Sequence, residues 1–128
     1  MTAKSAFVTM VKSTPGLTAK VYPILPPAEA ATPVISYSQV SKVDHTSHDG
    51  EVVYTSYRFQ LTIWGDDYKQ IDYIAKAIKG RLVGLRDTFG SDVIMTTLPA
   101  AEVDGVDPVS GTNKVIQDWF VLHTTGPI

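Results

Sequence analysis

Cysteine is absent from the 128 residues. Disulfides, thiolate nucleophiles and cysteine-held metals are therefore excluded, and the composition fits a reducing compartment. No run of about 18 apolar residues occurs, so no membrane span is expected. Met1-Thr-Ala-Lys-Ser-Ala-Phe7 has no long apolar stretch before a small-residue cleavage site, so no secretory signal is expected. An excess of one charge is also lacking. Eleven Lys and Arg face thirteen Asp and Glu, for a net charge of −2. That balance supplies no general pull toward nucleic acid or an anionic membrane. Both common Gly-rich phosphate-loop spacings are missing, as is a Gly-x-Ser-x-Gly elbow. No repeat, low-complexity tract or linker is visible. With 44% hydrophobic and 19% charged residues, the chain can bury a real core as one domain, residues 1–128.

The best-defined stretch reads strand, stop, helix. Tyr57, Phe59, Leu61 and Ile63 alternate with Arg58, Gln60 and Thr62, the period of a half-buried strand. Gly65 breaks it, and Asp66 or Asp67 is placed to cap a helix. That helix carries Tyr68, Ile71, Ile74, Ala75, Ile78 and Leu82 as its apolar stripe. Upstream, Thr2 or Ser5 starts a short helix to about Lys12, which Pro15-Gly16 ends. Val21 to Pro27 is extended, and its prolines forbid a central strand. Pro33 to Ser41, Val93 to Leu98 and Val115 to Thr124 read as further strands. Lys42 to Val52, with Asp49-Gly50, and Pro99 to Lys114, with Asp104-Gly105, read as long polar loops. The expected fold is α+β: a mainly antiparallel sheet of about four strands with two helices packed on it.

Chemistry is thinly served. Asp44, His45, His48 and Asp49 form the one cluster with metal-ligating side chains, but the spacing falls in a loop with turn residues. Asp104, Asp107 and Ser110 lack the spacing of a calcium loop. Asp66-Asp67 is explained by helix capping and the helix dipole. His123, on a strand, reads as an ordinary packed or surface histidine. No catalytic residue, cofactor or metal is assigned, and the chain is not expected to be an enzyme. Lys69, Lys76, Lys79, Arg81 and Arg86 make the long helix and its exit basic. With Tyr54, Tyr57, Phe59 and Trp64 next to them, the alternative function is a nucleic-acid-binding module. Tyr57 and Phe59 share the face of Leu61 and Ile63, however, which makes them core candidates.

The order of segments carries further information. A Pro-rich entry, Val21 to Pro27, leads to Thr32-Pro-Val-Ile-Ser-Tyr-Ser-Gln-Val-Ser41. Asp49-Gly50, Tyr57-Arg-Phe-Gln-Leu-Thr-Ile-Trp-Gly-Asp-Asp-Tyr68 and a helix ending near Leu85 follow. Asp107-Pro-Val-Ser-Gly-Thr-Asn-Lys-Val-Ile-Gln-Asp-Trp-Phe-Val121 completes the series. This arrangement, over about residues 17–123, resembles the tail-completion (tail-terminator, head–tail joining) proteins of long-tailed bacteriophages. The resemblance implies a virion subunit at the head-proximal end of the tail, assembled in the host cytoplasm. It implies a ring, commonly a hexamer, that caps the tail tube, meets head connector proteins and lets DNA pass without sequence-specific binding.

Two expectations about assembly follow. Val115 to Leu122 is apolar on both sides, and two helices cover only one face of a sheet. The strand is therefore expected to meet a neighbouring copy, with Val115, Trp119 and Val121 as the candidate interface. The long loops 42–53 and 99–114, bearing Asp44, His45, His48, Asp49, Asp104 and Asp107, are candidate docking segments.

Overall fold

Two apolar half-patterns meet at the centre of the sheet. The computed structural model describes residues 2–17, 19–24, 26, 32–106 and 111–125. Its elements run α1 (Ala3–Lys12), β1 (Lys20–Pro23), β2 (Val34–Thr46), β3 (Val52–Gly65), α2 (Tyr68–Leu82), β4 (Asp87–Phe89), β5 (Asp92–Val106) and β6 (Asn113–Thr125). The six strands form one sheet in the order β1-β2-β3-β6-β5-β4. β1 runs parallel to β2, and the other neighbours are antiparallel.

The α+β class stands, but the expected four-strand antiparallel sheet is corrected. The sheet is six-stranded, mixed and curled into a half-barrel. The extra strands had weak signals for physical reasons. β1 lies in the proline-rich entry and ends at Pro23, at a sheet edge where a missing N–H costs nothing. β4 is three residues long. The expected loops 42–53 and 99–114 are mostly strand. β2 and β3 continue to Thr46 and from Val52, leaving only 47–51 as a turn. β5 continues through Pro99 to Val106 against β6. These outer arms are exposed on both sides, so they show no in–out alternation.

Capping sets the helix ends. Thr2 Oγ1 accepts from the Ser5 amide at 3.1 Å, and Ser5 Oγ accepts from the Thr2 amide at 2.9 Å. This reciprocal box starts α1. At α2 the Asp67 carboxylate accepts from the Lys69 amide at 3.0 Å. Only Asp66 and Asp67 separate β3 from α2, so the helix folds straight back across the sheet. Gly65 permits this because a Cβ there would collide with the Ile71 side chain.

The core lies on one face. Ile71, Ile74, Ala75, Ile78 and Leu82 of α2 are buried, as the stripe predicts, whereas Tyr68 is exposed. Each of the larger side chains contributes about 1.5–3 kcal/mol by burial. Phe59, Leu61 and Ile63 of β3 face them with Val115, Trp119 and Val121 of β6. From α1, Phe7 stacks on Phe59 with ring centroids 4.7 Å apart. Gln117 is the polar exception. Its Nε2 donates to the Ala75 carbonyl at 2.9 Å, and its Oε1 accepts from Trp119 Nε1 at 3.2 Å. A buried amide is thereby paired at both ends.

We expect Ile78→Asp to cost at least about 3 kcal/mol, because it buries a carboxylate without a partner. A large fall in the thermal midpoint checks this, and an unchanged midpoint would refute the packing of α2 on the sheet.

Candidate assembly surface

Register decides which side of β6 is available. Phe59 pairs with Trp119, Ile63 with Val115 and Tyr57 with Val121, so all six side chains share the helix-covered face. Val115, Trp119 and Val121 are 0%, 1% and 0% exposed. The expected interface residues therefore sit in the subunit's own core, and the strand's other side faces outward. There Phe120 is 44% exposed, while Ile116 and Leu122 are half-buried. β5 adds exposed Leu98, paired with Phe120, and exposed Val103, paired with Ile116. The signal that tells the sides apart is charge. Lys114 and Asp118 share Phe120's side, whereas Gln117 is on Trp119's side.

This outward face is pinned by polar contacts. Arg58 Nη2 donates to Asp118 Oδ2 at 2.6 Å and its guanidinium lies 5.7 Å from the Phe120 ring centroid. Gln60 Nε2 donates to the other Asp118 oxygen at 3.2 Å. Lys114 Nζ lies 5.4 Å from the Trp64 ring centroid. Neither helix covers this face, so among the described residues its apolar side chains have no partner layer.

The candidate docking segments lie at opposite ends of the sheet. The β2–β3 turn lies beyond the Thr55–His123 pair, and the β5–β6 hairpin closes beyond Gly65–Asn113. Asp44 and His45 belong to the β2 arm, and His48 and Asp49 to the turn. Asp44 accepts from Thr55 Oγ1 at 2.8 Å. His45 stacks on Tyr54 at 4.3 Å and bonds Ser56 Oγ at 3.0 Å. Ser47 Oγ donates to the Asp49 carboxylate, which lowers that carboxyl's pKa. Gly50 takes φ 84° to close the turn. Asp104 lies on β5 and is held by the Tyr68 hydroxyl, which donates to Oδ2 at 2.5 Å. Asp107 and Ser110 lie outside the described residues.

The structure does not gather these residues into a reaction centre. Among the described residues, no group of three or more His, Asp or Glu is placed to hold a metal. His123 is buried and bonds Asp92 at 2.9 Å, which fastens the start of β5 to the end of β6. A cleft of about 180 Å³ lies between α2 and β5, lined by Lys79, Pro99, Glu102, Gln117 and Trp119 among others. The Gln117 amide there is already engaged at both ends. The nucleic-acid alternative needs its basic and aromatic residues on one surface. Phe59 is instead buried beneath the helices, Tyr54 and Trp64 lie on the outward sheet face, and the α2 lysines point away from both.

The described residues thus form two layers, with one sheet face that no helix covers and two long hairpins. The chain belongs to the family described as tail completion protein gp17, which it matches over residues 5–118. It is thus a structural phage tail protein. No curated protein matches it in sequence. Its fold is similar to that of a chain in a solved structure described as the virion of a native gene transfer agent (GTA) particle. The TM-score is 0.68 at 14% identity, covering 97% of this chain and 87% of that one.

The Tyr68–Asp104 bond yields a pH test. The carboxylate that accepts the phenol's proton pushes its pKa from 10.0 up to about 12. The neutral phenol is favoured in the folded chain. The bond's stabilisation is therefore full below about pH 10 and lost as pH rises toward 12. Asp104→Asn should return Tyr68 to about pH 10, read as the phenolate absorbance that Tyr68→Phe removes. An unmoved titration would mean that the arm is not tied to α2.

Proposed function

We propose that this tail protein works as the subunit of a closed ring, a hexamer, that caps the finished tail tube and joins the tail to the head. It acts at the head-proximal end, between the tail tube protein and the head connector proteins. DNA passes through its lumen without sequence-specific contact. The observation that carries the reading is the bare outward face of the sheet. Leu98, Val103 and Phe120 are 47%, 59% and 44% exposed on a face that no helix covers. Burial of such a face against the next copy gains the hydrophobic stabilisation that the subunit alone forgoes. A repeated contact between unlike surfaces closes into a ring when its rotation closes, and otherwise grows into filaments. Membership of a tail completion family supports a closed end-piece over an open filament.

The test contrasts two adjacent residues. Solution mass by light scattering should exceed that of the single chain several-fold. Phe120→Glu should shift it toward monomer while the unfolding free energy of the monomer stays within about 1 kcal/mol of the parent's. Trp119→Glu should instead abolish folding, since it buries a charge in the core. A chain that remains monomeric at high concentration, alone and with tail tubes, would remove the ring reading.

A further inference from the structure

Charge in this chain is sorted by layer. α1 and α2 carry six cations, Lys4, Lys12, Lys69, Lys76, Lys79 and Arg81, against one anion, Asp72. The whole chain has 11 cations and 13 anions, so everything outside the helices has five cations and twelve anions. The near-neutral total conceals a basic helix layer and an acidic remainder. On the outward side of α2, exposed Lys69, Tyr73 and Lys76 follow one another at helical spacing. Tyr73 is 72% exposed, a large aromatic ring between two lysines.

A complement to that surface lies on the same chain. The β2–β3 hairpin runs past the last pair that β3 makes with β6, Thr55–His123, and past it Thr124 Oγ1 donates to the Val53 carbonyl at 3.0 Å. Residues 46–53 are all exposed, and they include Asp49, Glu51, Val52 and Val53. No ion pair among the described residues joins Asp49 or Glu51 to a base, and none joins Lys69 to an acid. Lys76 makes an exposed pair with Asp72 at 3.1 Å, of a kind worth little in water.

We propose that the acidic, valine-bearing tip of the β2–β3 hairpin of one copy docks on the Lys69–Tyr73–Lys76 face of α2 of the next. The inference rests on the ring reading and names a contact within it. Asp49 and Glu51 meet the two lysines, and Val52 and Val53 lie against the Tyr73 ring. The two surfaces differ and sit on different elements, so each copy gives one and receives the other, as a heterologous ring contact demands. A duplex nucleic acid also seeks cations, but it offers no use for the matching acids and valines of the tip. Opposite charges on the two surfaces speed encounter and suppress mispairing more than they add affinity.

Charge reversal in pairs tests the contact. Asp49→Lys with Glu51→Lys, and separately Lys69→Glu with Lys76→Glu, should each weaken self-association about tenfold at low salt. The four substitutions together should restore it. Raising salt to 1 M, where the screening length is about 3 Å, should weaken the parent in the same direction. All these side chains are exposed, so far-UV circular dichroism should be unchanged. If a reversal variant is insoluble, Asp49→Asn with Glu51→Gln should still weaken association and remove its salt dependence. If the parent forms a ring that both pairs and salt leave untouched, this contact is wrong and the ring reading stands. If the parent forms no ring under any condition, both fail together. If Lys69→Glu with Lys76→Glu leaves assembly intact but abolishes binding of duplex DNA, the basic face serves DNA and the docking proposal is overturned.

Discussion

The structure depends on one alternation. Apolar side chains at odd-numbered positions of β3 and β6 register against each other, Phe59 with Trp119 and Ile63 with Val115, so one side of the sheet centre becomes the core. Two helices suffice to cover that side and no more. The core, the placement of the helices and the bareness of the other sheet face are therefore one fact seen from three directions. Gln117 shows how tightly the covered side is specified. An amide is admitted there because α2 offers a carbonyl and Trp119 an indole N–H, and each of its ends has somewhere to go.

What the sequence disclosed follows the same line. Half-buried elements carry a period, and β3 and α2 were legible from Tyr57 to Leu82 for that reason. Elements exposed on both sides carry none. The arms Lys42–Thr46 and Pro99–Val106 looked like loops because solvent accepts charge and glycine on either face of a strand. The expectation that two helices cover one face of the sheet matches the placement of α1 and α2 over one core.

The candidate site was half legible. That β6 is apolar on both sides could be read from its sequence. The choice of side was misassigned because Val115, Trp119 and Val121 look as apolar as Ile116, Phe120 and Leu122. Lys114 and Asp118 held the answer: charge on a central strand marks the side away from the helices. His45 and His48 read as residues of a turn-bearing loop, whereas the structure puts His45 on a strand with its ring against Tyr54 and Ser56. The tether from Tyr68 to Asp104 links residues 36 positions apart, a distance at which local pattern says nothing.

β1 covers β2 only from Val34 to Tyr37, and β4 covers β5 only from Asp92 to Ile94. Among the described residues strand edge remains beyond both, with the Gly84 amide bonded to Thr97 on the β5 side. The pairing of β2 slips between Gln39 and Ser41, that of β5 slips at two places, and Pro99 sits on the longer edge. Bulges and proline spoil the flat template that a stray strand requires. Irregular edges therefore oppose strand-by-strand pairing of free copies into fibres, so the chain can accumulate without its own sheet acting as a template.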